Sequence, residues 1–271
     1  MKPEHFDRLQ GLVASRTGMR LSRTRMHLAD HRLGPIARRE GFASVDDLLS
    51  ALWSRPVASL GWAVIEAMLN LETWFLRDRS AFEVLQRELL PALVRARNGA
   101  RLRLLSAGCA TGQEAFSLAI VCAEAGVEVE VTGLDLSHAA LERARSGVYT
   151  AFEIQRGLSA ARMLNHFDKS GDTWRARPEL RSRIGFVREN LLDPPEEKQT
   201  FDIVFCRHVL SEVEPARRLA VIEGLEARLV DDGCLFLGAD ERIESDTLAF
   251  RPVAGRRGLY VKAPAAARRA A

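Results

Sequence analysis

Leu104-Leu105-Ser106-Ala107-Gly108-Cys109-Ala110-Thr111-Gly112-Gln113-Glu114 is the stretch that decides the fold of this chain. An apolar strand runs into a short, glycine-bearing turn, and a helix starts at once. A second apolar run, Glu130-Val131-Thr132-Gly133-Leu134-Asp135, stops on an acid. A turn that lets a ligand touch the backbone, followed by an acid at the end of the next strand, is how an α/β sheet holds an adenosine.

Outward from this stretch the pattern alternates. Strand Leu102 to Ser106, helix Glu114 to Ala125, strand Val127 to Leu134 and helix Ser137 to Ser146 follow in order. Strand Phe201 to Cys206, helix Pro215 to Leu229 and strand Cys234 to Gly238 come later. Strands alternating with helices predict an α/β fold, a doubly wound, mostly parallel sheet with helices on both faces. Asp231-Asp232-Gly233 reads as the turn before the last of these strands. Gly258-Leu259-Tyr260-Val261 reads as a final strand that pairs antiparallel. Residues 150–188 break the rhythm. Asp172-Thr173-Trp174-Arg175-Ala176 and Ile184-Gly185-Phe186-Val187 predict short strands around a turn at Gly171, a small β insertion.

Residues 1–72 predict a small helical domain. Phe6, Leu9, Leu12 and Val13 recur at helical spacing, and Met26, Leu28, Leu33, Ile36 and Ala37 form a second amphipathic stretch. Ser44 reads as an N-cap with Asp47 at the N3 position. Residues 71–98 form a bridge that ends in the helical pattern Phe82, Leu85, Leu89, Leu90. The main domain is expected over 73–262, and the Ala-, Pro- and Arg-only tail, 263–271, is expected to be disordered.

Apolar residues make up 47% of the chain, enough for a sizeable core. No apolar run approaches a membrane span. The start, Met1-Lys2-Pro3-Glu4-His5-Phe6, lacks the apolar stretch of a signal peptide, which predicts a cytoplasmic protein without membrane insertion. Cys109, Cys122, Cys206 and Cys234 lie in or beside apolar patterns and form no Cys-x-x-Cys pair, so buried, reduced thiols and no metal site are expected. A net charge of +3 is too small to imply a nucleic-acid partner. Arginine is concentrated between Arg16 and Arg39 and again at Arg256, Arg257, Arg268 and Arg269.

The turn narrows the ligand. Nicotinamide folds usually show Gly-x-Gly-x-x-Gly, whereas only Gly108 and Gly112 stand here, and no Walker lysine follows. A wider turn suits a ligand that needs no pyrophosphate cradle. S-adenosylmethionine, an adenosine with an amino-acid tail, is such a ligand, and Asp135 would accept from both ribose hydroxyls.

Four ordered blocks resemble the CheR family of chemotaxis protein methyltransferases, over nearly the whole chain. Ser106 to Ala119 is similar to that family's S-A-G-C-S-T-G-E-E-P-Y-S-L-A. Glu142-Arg143-Ala144-Arg145-Ser146-Gly147-Val148-Tyr149 is similar to E-K-A-R-x-G-x-Y, and Phe201-Asp202-Ile203-Val204-Phe205-Cys206-Arg207 matches F-D-x-I-F-C-R. Glu72-Thr73-Trp74-Phe75-Leu76-Arg77-Asp78 is similar to E-T-x-F-F-R-D. The resemblance implies a class I, Rossmann-like methyltransferase fold with a helical N-terminal domain and a β insertion. It implies S-adenosylmethionine contacts at Thr73, Arg77, Ala107, Gly108, Glu114, Asp135, Asn190, Leu191, Arg207 and His208. Glu114 opens a helix, where an acid suits the dipole and is placed to grip an amino group. Asn190-Leu191 follows a strand and presents an amide and an apolar edge, although ordinary turn chemistry also explains an Asn there.

Methyl transfer to glutamate is an in-line displacement, and the acceptor is already ionised at neutral pH. It needs desolvation and aim rather than a general base. Arg77 is the natural aiming group, because a guanidinium matches a carboxylate in bidentate fashion; an ion pair with Asp78 is the alternative. Three positions depart from the family: Leu71 for an Asn (Asn70 is one place off), His208 for an Asn, and Glu212 for the Tyr of its reaction pocket. Two carboxylates about 4 Å apart repel by roughly 4 kcal/mol at an effective dielectric of 20. Glu212 therefore pairs with Arg77 or Arg207, or is protonated, or serves as a general base for a hydroxyl or amine acceptor, unless it faces solvent. His208 would replace the Asn as a donor to the cofactor. Arg20, Arg23, Arg25, Arg32, Arg38 and Arg39 suit an acidic helical partner, such as the methylation helices of a chemoreceptor, with Arg32 and Arg38 as substrate-binding residues. Three readings stay open: a protein-glutamate O-methyltransferase, a same-fold methyltransferase with another acceptor, and a cofactor-binding regulatory module.

Overall fold

The computed structural model describes residues 1–193, 199–244, 247 and 249–263. The expected disordered tail from Pro264 on, with Arg268 and Arg269, lies outside the described residues, as does the side chain of Arg25. Ala263, expected to open that tail, is instead buried and donates its N–H to Ala249 O at 2.7 Å. The chain divides into two compact units, residues 1–70 with 212–217, and residues 71–211 with 218 onward.

The first unit contains α1 (Pro3–Thr17), α2 (Met26–Arg39), α3 (Val45–Ser54) and α4 (Ala58–Met68). Pro3 starts α1, where a missing N–H costs nothing, and Gly18 ends it at φ 68° with its N–H returned to Ala14 O. Ser44 caps α3 as expected: its hydroxyl oxygen accepts from Asp47 N at 3.1 Å and its O–H donates to the Asp47 carboxylate at 2.7 Å. Phe6, Leu9, Val13, Leu33, Leu48, Leu49 and Val64 form the core. The unit is not a continuous stretch of sequence. Met19 pairs antiparallel with Val213, Arg20 N donates to Glu212 O at 2.8 Å, and Glu214 N donates to Gly18 O at 2.7 Å. These backbone bonds place residues 212–217 in the helical unit.

The second unit opens with α5 (Arg79–Val84), a π turn over Leu85–Leu89, and α6 (Leu90–Ala96). β1 (Leu102–Ala107), α7 (Gln113–Glu124), β2 (Val129–Asp135) and α8 (His138–Ser146) follow. Then come β3 (Val148–Thr150), α9 (Ala151–Gln155), α10 (Ala160–His166), β4 (Phe167–Ser170), β5 (Thr173–Ala176), α11 (Pro178–Arg181) and β6 (Ile184–Arg188). The unit closes with β7 (Phe201–Cys206), α12 (Pro215–Ala227) from Arg218 onward, β8 (Leu229–Leu237), β9 (Phe250–Pro252) and β10 (Leu259–Lys262).

Seven strands form one sheet in the order β6-β2-β1-β7-β8-β10-β9. The first five run parallel, and β10 lies antiparallel to β8, as expected for the last strand. Strand order reverses between β1 and β7. Such a switch point opens a crevice at the carboxyl ends of the strands, where α/β sheets bind ligands.

Two expectations change. β3, β5 and β4 form the antiparallel insertion, but Ile184–Arg188 does not belong to it. That strand is the parallel edge of the main sheet, Val131 opposite Ile184 and Asp135 opposite Arg188. Asp231-Asp232-Gly233 is not a free turn but lies within β8. Leu229 pairs with Phe201 and Cys234 with Ile203, so the intervening residues bulge opposite Asp202 alone. Regular pairing resumes at Cys234, where the last parallel strand was expected to begin.

Candidate functional site

β1 ends at Ala107, and its turn is tied to β2. Gly108 N and Cys109 N both donate to Leu134 O, at 2.7 and 2.9 Å. Gly108 has φ +76°, and a Cβ there would lie 2.6 Å from Val209 Cγ2, so a side chain is excluded by both conformation and space. Tyr149, from the E-R-A-R-S-G-V-Y block, is fully buried and donates its hydroxyl to Thr111 O at 2.9 Å. Asp135 closes the turn from the other side. Its Oδ2 accepts from Ala110 N at 2.8 Å and its Oδ1 from Ser137 N at 2.9 Å. Both backbone donors fix the carboxylate in one orientation at the end of β2.

A second charged group lies at the end of β7. The Arg207 side chain is 1% exposed. It donates to Glu114 at 3.2 Å, to Arg77 O at 2.6 Å and to Asp78 Oδ2 at 2.7 Å. Glu114, in the first turn of α7, also accepts from Ser106 Oγ at 2.7 Å. Burial raises the Glu114 pKa above the usual carboxylate range, with Arg207 and the Ser106 hydroxyl opposing the shift. For Asp78 burial also pushes upward, but Arg207 and His208 outweigh it and the pKa is lowered. His208 Nε2 lies 2.8 Å from Asp78 Oδ2. His208, expected as a donor to the cofactor, has this ring nitrogen engaged by Asp78.

The Thr73–Asp78 block supplies the third side. Phe75 is fully buried among Tyr149 and Phe167, at ring distances of 5.0 and 5.6 Å, and Leu76 N donates to Ser117 Oγ at 2.9 Å. Trp74 is flanked by two guanidiniums, Arg77 at 4.2 Å and Arg156 at 4.0 Å. Arg77 donates to Glu72 O at 3.0 Å, and Arg156 donates to the Glu72 carboxylate at 3.1 Å. Arg77 Nε is buried and has no hydrogen-bond partner among the described residues. Burial lowers the Arg77 pKa, against the pull of Asp78 and Glu72. The alternative pairing of Arg77 with Asp78 gives way to Arg207 and His208. Four non-glycine residues of this region carry positive φ, Leu76 at 50°, Asp78 at 53°, Ala110 at 47° and His208 at 61°. Strained backbone of this kind persists where surrounding structure fixes it, and it concentrates at functional sites.

The donor set fits S-adenosylmethionine. A ribose diol would meet the Asp135 carboxylate and an ammonium group would meet Glu114, while the backbone at Gly108 is bare of side chain. Ala107, Gly108, Glu114, Asp135, Arg207 and His208 thus meet at neighbouring strand ends. Asn190 and Leu191 follow β6. Glu189 N donates to Asp135 O at 3.1 Å, and the Glu189 carboxylate pairs with buried Arg228. Asn190 Oδ1 accepts from Leu192 N at 3.2 Å, the turn chemistry that was its alternative reading. Thr73 is half-buried within its block. In the helical unit Glu212 Oε1 accepts from Asn70 Nδ2 at 3.1 Å. The partner of Glu212 is thus an amide, and it comes from the displaced Asn70. Arg32 donates to Met68 O and Leu69 O at 3.1 and 3.2 Å, capping the end of α4, so its guanidinium is partly occupied by its own unit. Arg38 is exposed. Two buried or half-buried acids of the site were missed in the sequence. Asp78 was read only as an alternative partner of Arg77, and Glu241, which accepts from His208 N at 2.7 Å, carried no periodic or motif signal.

Residues 71–259 match the family described as CheR methyltransferase, SAM binding domain. The chain belongs to the CheR methyltransferases. Curated relatives are similar along most of their length. Chemotaxis protein methyltransferase Cher2 of Pseudomonas putida is 32% identical over 247 residues, covering 88% of this chain and 90% of that protein. Chemotaxis protein methyltransferase 1 of Pseudomonas aeruginosa is 33% identical over 251 residues, covering 89% and 90%. Chemotaxis protein methyltransferase of Vibrio parahaemolyticus is 31% identical over 258 residues, covering 92% and 93%. This CheR chain is an S-adenosylmethionine-dependent methyltransferase of the chemotaxis type, and the cofactor-binding module without turnover is set aside. No helix among the described residues is long and apolar enough to cross a membrane.

Proposed function

We propose that this CheR protein esterifies glutamate side chains on chemoreceptor-like proteins, with Arg77 aiming the acceptor carboxylate. One observation carries the reading. Arg77 is held by the Trp74 ring and Glu72 O, yet its Nε is buried without a partner. A buried N–H left unsatisfied costs about 1–3 kcal/mol, which a carboxylate acceptor would recover. The bound sulfonium supplies the activated methyl group. Asp135 holds the ribose hydroxyls, Glu114 the ammonium, and Arg207 fixes Glu114 and the Arg77 carbonyl in one frame. The chain's remaining task is to exclude water and align the acceptor. Thr73, Ala107, Asn190, Leu191 and His208 complete the cofactor wall in this reading.

Glu212, bonded to Asn70 Nδ2 within the first unit, has no role as a base in this scheme. On the first unit, Arg23 and Arg39 are engaged with Asp7 and Glu40. Arg20 and Arg38, with the remaining donors of Arg32, are left to meet an acidic helix.

Label transfer from S-adenosylmethionine to a receptor fragment tests the reading. A base-labile methyl ester is expected, with kcat/KM down at least about 10-fold for Arg77→Ala, since a lost charge-assisted bond is worth roughly 1.5–3 kcal/mol or more in a desolvated site. Glu212→Gln is expected to keep or raise ester formation. Base-stable label, or loss of all activity in Glu212→Gln, would assign a hydroxyl or amine acceptor and Glu212 as its base.

A further inference from the structure

We infer that Glu241 is a positioning residue whose carboxylate sets the loop after β7 and, through it, the affinity for the cofactor. The inference rests on the reading above that Arg207 and His208 border the cofactor. Glu241 lies in the turn that follows β8 and is 7% exposed. Its own N–H donates to Gly238 O at 2.9 Å, and its side chain folds back over the strand ends. Oε2 accepts from Gly238 N at 2.8 Å and from His208 N at 2.7 Å, and Oε1 accepts from Ser211 N at 2.9 Å. The residue after β8 and the loop that follows β7, the adjacent parallel strand, are therefore tied to one carboxylate. Hydrogen bonds to an ionised acceptor are roughly twice as strong as neutral ones.

The clasp holds a conformation that the loop would not keep alone. His208 has φ 61°, uncommon for a residue with a side chain. In that conformation its Nε2 reaches Asp78 at 2.8 Å. Arg207, one residue earlier, reaches Glu114, and Val209, one residue later, covers Gly108 so closely that a Cβ there would be 2.6 Å from Val209 Cγ2. Three consecutive side chains that build the cofactor wall thus depend on the direction of the His208 amide. The opposing strand end is shaped for the same bond. A Cβ on Gly238 would lie 2.8 Å from Glu241 Oε2 and 3.1 Å from His208 Nδ1. None of these Glu241 bonds reaches a reacting group, so its effect is transmitted rather than direct.

Calorimetric titration of the full chain with S-adenosylhomocysteine, paired with steady-state kinetics in S-adenosylmethionine, tests this. Glu241→Gln is expected to raise Kd and cofactor KM at least tenfold, with unchanged stoichiometry and unchanged KM for the acceptor protein. Gly238→Ala is expected to act in the same direction, and the double variant to be less than additive. Wild-type Kd with reduced stoichiometry or a lower Tm alone would mean a merely structural role and overturn the inference. Should both variants fail to fold, amide exchange in the wild-type protein decides. Protection of His208 and Ser211 N–H by at least 100-fold supports the clasp, and exchange at free-loop rates overturns it. If the wild-type protein binds no S-adenosylhomocysteine, the reading of the site fails instead, and the same exchange data judge the clasp.

Discussion

At the residue scale, Glu114 makes the site sensitive to pH. Its folded pKa is raised by burial, so its protonated form contributes stability below the unfolded value, and that contribution is lost as pH rises through the folded one. Ligand binding runs the other way, because only the ionised carboxylate holds an ammonium. Affinity for S-adenosylhomocysteine is therefore expected to fall on acidification, with an apparent pKa above that of a free glutamate, and binding in that window should release a proton. Calorimetry in buffers of different ionisation enthalpy measures both. Glu114→Gln should bind at least about tenfold more weakly at neutral pH, as expected for losing a charged partner, and show a flat profile. A sloped profile in that variant would move the titration to another group. The sequence made Glu114, Asp135 and Arg207 legible because each stands at the end of a recognisable element. It hid the partner of Asp78, which follows Arg77 directly. Positive φ at Leu76 and Asp78 turns consecutive side chains apart, and the carboxylate meets Arg207 instead. Local handedness of that kind leaves no mark in a pattern of residue types.

Among the elements, the block that carries Arg77 is secured by backbone proximity. Gly157, at φ +116°, approaches so closely that a Cβ would sit 1.8 Å from Phe75 O. Gly157→Ala must therefore displace either the segment after α9 or the Phe75 backbone, and with it Trp74 and Arg77. A loss of about 3 kcal/mol or more in urea unfolding is expected, together with an altered Trp fluorescence spectrum. Wild-type stability in this variant would show that the approach is not tight. The alternation of strands and helices around β1 and β2 was plain from periodicity, and Phe201–Cys206 emerged with its expected bounds. Ile184–Arg188 was assigned to the wrong sheet for a physical reason. Short strands reveal their alternation but not their partner, and β2 lies beyond a whole intervening insertion. Asp231-Asp232-Gly233 has the composition of a turn and does bulge, yet Arg97 binds Asp232 and keeps the segment at the sheet.

For the molecule as a whole, that arginine joins distant parts of the α/β unit. Arg97 donates to Asp202 at 2.8 Å and to both oxygens of Asp232 at 2.8 and 2.6 Å. The Asp202 side chain is 8% exposed. Removing the guanidinium leaves a buried acid with the Arg103 N–H as its other bond among the described residues. Arg97→Ala is expected to cost about 2–4 kcal/mol, read as a lower urea midpoint at unchanged slope. The hydrogen bond from Arg97 lowers the Asp232 pKa, so this part of the stability is present at neutral pH and disappears as pH falls through the lowered value. The acid limb of the stability profile should flatten in the variant. The interleaved first unit bears on protein engineering. A chain begun at Leu71 would span the family's matched region yet carry Glu212, Val213 and Glu214 without the Gly18–Arg20 backbone that bonds them. The amino-terminal helices are consequently not a removable cassette. A functional chimaera that borrows them from a relative has to borrow the 212–217 strip in the same exchange.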